Sequence, residues 1–458
     1  MSAATKTELF ESMPIPRAVA TLSVPTIIGS LVMMLYNLAD TYFVGMLNSS
    51  IDTSAVTLAA PVLLAFNAVN NLFGVGSSSM MSRALGRKDY DTVKRSSAFG
   101  FYCAILSGLL FSVFCTTFMD PLIGILGATE LTREATADYL FYTVSLGAIP
   151  SILNVVLGYM IRSEGAALHA SIGTMSGCLL NIILDPVFIL PWGLGLGAAG
   201  AGLATFTSNC FSCAYFIILI AIKRGKTYVS LNPRYFAFTK LIVIGICAVG
   251  IPAAIQNLLN VTGMTILNNF TSEFNEDAIS AMGISQKINM IPMYVAMGIS
   301  QGVMPLISYN FASGNIERMK KALTFTIKIS IIFLSCVAVL YFIFSEELIS
   351  LFMKNESVIG YGKVFLRIMA PTQPFLTLDF IGVGVYQACG MGKKSLIFAI
   401  CRKIVLEIPA LFILNKLFPL YGLAGAQLFA EVILAIAAVI VLASMFRTLE
   451  KKQTVHQA

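Results

Sequence analysis

Tyr36, Asn37 and Asp40 stand in a run that is otherwise apolar: Ile27, Ile28, Leu31, Val32, Met33, Met34 and Leu35 before them, Phe43 and Val44 after. Tyr36 and Asn37 precede Asp40 by four and three residues, so a helix presents a phenol, an amide and a carboxylate on one face. An ionised carboxylate at bilayer depth costs about 2.5–3.5 kcal/mol, so such residues face a bundle interior or a wet cavity and mark ion or substrate paths. The competing reading is a buried acid whose hydrogen bonds lock helix packing.

A second constellation lies in NIILDP, residues 181–186. Asn181 and Asp185 are four apart and share a helix face. Pro186 cannot donate to the carbonyl of Ile182, which predicts a local break there. A freed carbonyl, an amide and a carboxylate are oxygen ligands for a hard cation such as Na⁺, or for a proton. The small-residue run GLGLGAAGAGLAT (193–205) permits close helix approach and ends at Thr205, another oxygen. Asp40, Asn181, Asp185 and Thr205 are therefore candidate Na⁺ ligands, with Tyr36 and Asn37 beside them. For Asn181 and Thr205 the alternative is ordinary interhelical hydrogen bonding, worth well under about 2 kcal/mol.

Other polar groups inside apolar runs are Asn154, Gln256, Asn257, Asn260, Asp379 and Glu431, candidates for a substrate cavity or a second ion site. Glu407 has Arg402 and Lys403 about one turn away as neutralising partners, whereas Asp379 and Glu431 have no local cation in sequence. Only two histidines exist, His169 and His456, both outside the apolar runs, which excludes a histidine metal site or relay within the membrane. The nine cysteines lie in or at the ends of apolar runs and read as small packing residues, Cys210 and Cys213 included. An intramembrane aspartyl enzyme would need Asp40 and Asp185 about 3 Å apart sharing a proton; their amide- and hydroxyl-rich surroundings suit ion binding better.

Positioning these groups falls to helices that cross a membrane. The 458 residues are 57% hydrophobic and only 12% charged, against about 25% charged in soluble domains. Mean hydropathy is +0.83. Apolar runs near the roughly 20 residues a span needs fall at 17–45, 54–82, 92–119, 134–162, 168–190, 195–222, 241–270, 278–309, 321–345, 360–388, 394–416 and 420–446. The fold class is thus an all-α polytopic membrane protein of twelve spans. The N-terminal segment, with Lys6, Glu8, Glu11 and two prolines, does not read as a cleavable signal peptide.

With both termini inside, the inner segments gather Lys6, Arg17, Arg83, Arg87, Lys88, Lys94, Arg95, Lys223, Arg224, Lys226, Lys240, Arg318, Lys320, Lys321, Arg402, Lys403 and Lys452 among others. The outer segments hold only Arg133, Lys354, Lys363, Arg367 and Lys416, and Lys287 lies within a span. The positive-inside rule then places both termini in the cytoplasm, in the cell membrane. Topology also accounts for the +7 net charge without nucleic acid.

The basic connector around Lys223–Lys240 divides the chain into an N-terminal six-helix lobe (1–225), a cytoplasmic linker (226–240) and a C-terminal six-helix lobe (241–458). The lobes echo one another at an offset of about 225 residues: Val24-Pro25 with Ile251-Pro252, LGRKD (85–89) with SGNIE (313–317), Glu164-Gly165 with Cys389-Gly390, and GAAGAGLA (197–204) with GLAGAQLF (422–429). An even number of helices per repeat makes the repeats parallel, pseudo-symmetric about an axis along the membrane normal, with a central cavity between them. Aligning Pro25 with Pro252 sets Leu267 opposite Asp40 and Met264 opposite Asn37. The acid belongs to one lobe only, which weakens a purely structural role for it.

Twelve spans in two repeats, YNLAD around Asp40, NIILDP, GAAGAGLAT and ISQGVMPLISYNFASGNIERMKKA (299–322) together resemble the multidrug and toxic compound extrusion family, in its MepA/DinF-like bacterial branch. The resemblance covers nearly the whole chain. It implies a secondary active transporter, not an enzyme, that exports amphipathic, often cationic drugs or dyes from the cytoplasm in exchange for inward Na⁺ or H⁺, without cofactor or obligate protein partner beyond the membrane lipid. It implies cation or proton coupling at Tyr36, Asp40, Asn181, Asp185 and Thr205. Gln256 stands near the place where some members carry an acid, which weighs against a C-lobe cation site of that kind. A lipid-linked saccharide flippase of the same wider superfamily is the alternative; it would call for Arg or Lys in the cavity to hold pyrophosphate.

Overall fold

The computed structural model describes residues 3–457, with side chains described over 7–451; the side chains of Lys6, Lys452 and His456 lie outside that set. The described chain runs through α1 (Ala3–Glu11), α2 (Ile15–Met46), α3 (Ser50–Gly86), α4 (Tyr90–Thr117), α5 (Met119–Ile125), α6 (Arg133–Leu140), α7 (Ala148–Ser163), α8 (Ala167–Ile189) and α9 (Gly197–Ile222). It continues through α10 (Lys240–Thr271), α11 (Glu276–Ala312), α12 (Ile316–Ile343), α13 (Ser345–Ser350), α14 (Glu356–Met369), α15 (Gln373–Ala388), α16 (Gly392–Ile400), α17 (Ile408–Leu417) and α18 (Tyr421–Gln457). No strand occurs among the described residues.

Ten helical segments are long and apolar enough to cross a membrane, among them Glu356–Ala388, which joins α14 to α15. An eleventh span is broken: α6 passes through a π-helical stretch, Phe141–Leu146, and bends by 51° into α7 at Gly147. The twelfth, Gly392–Leu417, is interrupted by a second π-helical stretch, Cys401–Glu407, where Arg402, Lys403 and Glu407 are all buried. Wide π turns inside α-helices mark functional positions. Here they replace the regular fourth and eleventh spans read from hydropathy. Arg402 and Lys403, assigned above to the cytoplasmic side, are corrected to the interior of a span.

The repeat is visible in the elements. α2 and α10 each have 32 residues, α3 and α11 each 37, and α4 and α12 each 28. The connector after α3 turns through Lys88 at φ 58 and then Asp89, whose carboxylate accepts from Thr92 N–H at 3.1 Å. Its echo after α11 turns through Gly314 at φ 78 and then Asn315, whose side chain accepts from Arg318 N–H at 3.0 Å. Both are left-handed turns followed by an Asx N-cap.

The described chain forms two compact units, one made of the segment up to Ser12 with Ile28–Ala254, the other of Met13–Ile27 with the chain from Ile255 onward. These units differ from the sequence halves 1–225 and 241–458. Each boundary falls two residues after a proline inside a continuous helix, Pro25 in α2 and Pro252 in α10, where a backbone hydrogen bond is missing.

In the first unit the start of α10 packs against α3 and α4, with Ile242 and Ile246 among Met80, Phe99 and Cys103. Gly76 makes that approach possible, since a Cβ there would meet the Ile246 carbonyl oxygen at 2.6 Å. In the second unit the repeat-related Gly302 of α11 does the same for α2, where a Cβ would meet Ser23 Cα at 2.6 Å.

The linker is fastened within the first unit. Glu164, 3% exposed at the end of α7, accepts from Thr227 Oγ1 at 3.0 Å and from Tyr228 N–H at 2.8 Å. Tyr102 donates to the Leu231 carbonyl at 2.7 Å, and Ser97 Oγ accepts from Ser230 N–H at 2.9 Å.

Candidate ion-coupling site

The first unit brings four of its helices to one buried polar cluster. α8 supplies Asn181 and Asp185, which are 1% and 0% exposed, and α9 supplies Thr205. α8 and α9 approach because their facing positions are small. A Cβ on Gly177 would meet Ser212 Oγ at 1.9 Å, and one on Gly200 the Phe188 carbonyl oxygen at 2.4 Å. The start of α9 is held from α3, where Asp52 Oδ1 accepts from Ala198 N–H at 2.8 Å. A carboxylate at a helix N-terminus satisfies one of its orphan donors and complements the dipole.

Asn181 is the keystone of the cluster. With its amide oriented to satisfy both sides, Nδ2 donates to Asp185 Oδ2 at 2.9 Å while Oδ1 accepts from Thr205 N–H at 3.1 Å. One amide thus ties a carboxylate of α8 to the backbone of α9. Tyr36 of α2 reaches the same place and is hydrogen bonded to the Thr205 side chain. Asp40, one turn further along α2 and mostly buried, is close enough for its charge to act on Asp185, Tyr36 and Tyr139.

α8 runs through Pro186 to Ile189 without interruption, so the break expected there is corrected. The proline withholds one backbone hydrogen bond near the helix end, which the remaining turn absorbs.

Five of the six proposed coupling residues, Tyr36, Asp40, Asn181, Asp185 and Thr205, therefore meet. Asn37 is exposed and donates to its own helix at Met33 O, 3.0 Å away. Tyr139 of α6, 4% exposed, joins the cluster without having been anticipated. It sits in ATADYLF, among residues that read as the start of a span, and nothing in its local spacing connects it to Asp40.

Two carboxylates in one buried site repel when both are ionised and share a preference for a bound cation or proton. Asp40 and Asp185 with the oxygens of Asn181, Thr205 and Tyr36 form a donor set of the hard type that suits Na⁺ or H⁺. No group of three or more His, Cys, Asp or Glu residues suited to a transition metal occurs among the described residues.

The remaining candidates do not converge on one place. In the first unit Asn154 donates to Asn209 Oδ1 at 3.1 Å. In the second, Gln256 accepts from Gln387 at 3.2 Å, Asn257 buries an oxygen that has no hydrogen-bond partner among the described residues, and Asn260 lies one turn beyond Gln256 on α10.

Asp379 and Glu431 are corrected from acids without a cation. Arg402 Nη1 is 2.9 Å from Asp379 Oδ2 and its Nη2 is 2.7 Å from Glu431 Oε1. Lys403 pairs with Glu407 at 2.7 Å, one turn away as the spacing predicts. Arg402 was legible as a charge in an apolar run. Its partners on α15 and α18 were not, because they come from other spans.

Comparison with known proteins agrees with this architecture. The MatE family model matches residues 25–187 and again 252–413, one match per repeat. The multidrug export protein MepA of Staphylococcus aureus (strain MRSA252) is 35% identical over 434 residues, covering 94% of each chain. MepA of Staphylococcus haemolyticus (strain JCSC1435) is 35% identical over 439 residues, 95% of each. A solved outward-facing multidrug resistance MATE family transporter of the MOP superfamily superposes with a TM-score of 0.91 at 25% identity, over 97% of this chain and 99% of that one. With its two matched repeats, its multi-pass helical fold and relatives that are transporters rather than enzymes, the chain belongs to the MatE family, the multidrug and toxic compound extrusion transporters.

Proposed function

We propose that this protein exports amphipathic, often cationic drugs or dyes across the cell membrane by alternating access, in exchange for inward Na⁺ or H⁺ bound at Asp40, Asn181, Asp185 and Thr205. The observation that carries the reading is the pairing of Asp40 with Asp185 in an amide- and hydroxyl-lined cluster of the first unit, at a place where the repeat has Leu267 and Met264. Similarity to MepA supports the cargo class.

The driving energy is adequate. One positive charge entering down 100 mV releases about 2.3 kcal/mol, and a hundredfold drug gradient requires about 2.8 kcal/mol. One ion with its own concentration gradient, or two ions, suffices. Coupling requires that ion and drug favour opposite-facing states or compete, since a ligand with equal affinity for both states shifts nothing. Neutralising Asp40 or Asp185 removes their mutual repulsion and lets α2 change its bend at Pro25, which is the switch in this reading. Both termini face the cytoplasm. For the flippase alternative, Arg402 and Lys403 are the buried cations, and they are already paired with acids.

The test is efflux of a cationic dye from proteoliposomes with a Na⁺ gradient and a pH gradient imposed separately. Efflux driven by one or both supports antiport. Efflux indifferent to both overturns it.

A further inference from the structure

The second unit holds a charge cluster that the coupling site above does not use. Asp379 of α15 and Glu431 of α18 are 1% and 0% exposed, and Arg402 between them is 4% exposed. Lys403 and Glu407 lie on the same π-helical turn as Arg402 and are 8% and 7% exposed. The charged groups that act on Asp379 are Arg402, Lys403 and Glu407, and the same three with Asp379 act on Glu431. α11, α12 and α14 also pack on this part of the fold but bring no charged group to Asp379.

Three carboxylates thus face two cations in a dry interior. Fully ionised, the cluster carries one uncompensated negative charge, and a buried unpaired charge is neutralised before it is tolerated. The geometry leaves room for that neutralisation. Arg402 engages Asp379 Oδ2 and Glu431 Oε1, while Asp379 Oδ1 and Glu431 Oε2 have no hydrogen-bond or ion-pair partner among the described residues. Each of these free oxygens is a place for one hydrogen.

We propose that the Asp379–Arg402–Glu431 cluster is a proton-binding site of the second unit, holding one exchangeable proton on the two carboxylates, with Arg402 as a tethered cation that takes the place between them and so excludes Na⁺. Binding converts one carboxylate to a carboxylic acid and brings the five-residue cluster to zero net charge. The existence of the site does not rest on the antiport reading; only its use in transport would.

The test is infrared absorption of the protonated-carboxyl C=O band in full-length protein reconstituted in lipid at neutral pH. It is done in an Asp40→Asn, Asp185→Asn background, so that the first unit contributes nothing and no efflux is read. One cluster proton is expected, shifting in D₂O and unchanged when K⁺ is replaced by Na⁺. Glu431→Gln and Asp379→Asn, which remove the excess charge with near-isosteric neutral groups, are each expected to abolish the band. Arg402→Gln, which leaves three acids to one cation, is expected to double it. A band absent at neutral pH, a band that falls as Na⁺ rises, or a band that survives both carboxamide variants overturns the proposal. Should Arg402→Gln not fold, the two carboxamide variants decide the question alone.

Discussion

At the residue scale the account turns on Asn181, whose single amide spans two helices by bonding Asp185 and the Thr205 backbone. Replacing it with alanine leaves a buried carboxylate and a buried N–H without that partner, each loss costing about 1–3 kcal/mol. Asn181→Ala is therefore expected to lower the thermal unfolding midpoint of detergent-solubilised protein and to weaken ion-dependent dye efflux together. An unchanged midpoint would show that the amide is not the bridge. Asp40, Asn181, Asp185 and Thr205 were legible from sequence because a carboxylate or amide in an apolar helix has few bland explanations. Tyr139 was not legible. A tyrosine near the end of a span is ordinary, and only the π turn and the bend at Gly147 fix how α6 is set against its neighbours. The pairing of Arg402 with Asp379 and Glu431 was hidden for the same reason, since it joins three spans far apart in sequence.

At the element scale the repeat makes paired predictions. Gly76 and Gly302 each admit a helix backbone, so Gly76→Ala and Gly302→Ala should both overpack and destabilise by about 1–3 kcal/mol. Gly283 has open space around it and an ordinary φ, so Gly283→Ala should be neutral or slightly stabilising, as expected for alanine within a helix. Thermal unfolding of the three variants separates close approach from backbone freedom.

The two N-caps differ in chemistry. Hydrogen bonds from Thr92 hold the Asp89 carboxyl below the usual carboxylate range, whereas Asn315 does not titrate. A carboxyl depressed in the folded state contributes stability above its unfolded pKa and loses it as pH falls through the folded value. Asp89→Asn should accordingly remove part of the loss of stability seen on acidification, read as a flatter dependence of the unfolding midpoint on pH. Hydropathy located nearly every span to within a few residues. It missed the interruptions at Phe141–Leu146 and Cys401–Glu407, because a π turn changes backbone geometry without changing composition.

At the scale of the whole molecule, sequence echoes revealed the two-fold repeat but not the membership of the compact units. An echo reports common ancestry of segments, whereas a unit is defined by packing, and α2 and α10 each divide their packing at a proline. Orientation follows from the distribution of Lys and Arg outside the spans. A cysteine placed at Lys226, in the linker, should react with a membrane-impermeant maleimide in inside-out vesicles and not in intact cells. Labelling in intact cells would reverse the topology.

The central claim is that the charge on Asp40, shared with Asp185, couples cation entry to drug exit. Asp40→Asn in purified proteoliposomes measures it most directly. The account predicts normal incorporation into the bilayer with gradient-driven dye efflux reduced at least about tenfold, a loss of about 1.4 kcal/mol or more in coupling. Gradient-driven efflux at the wild-type rate would contradict it.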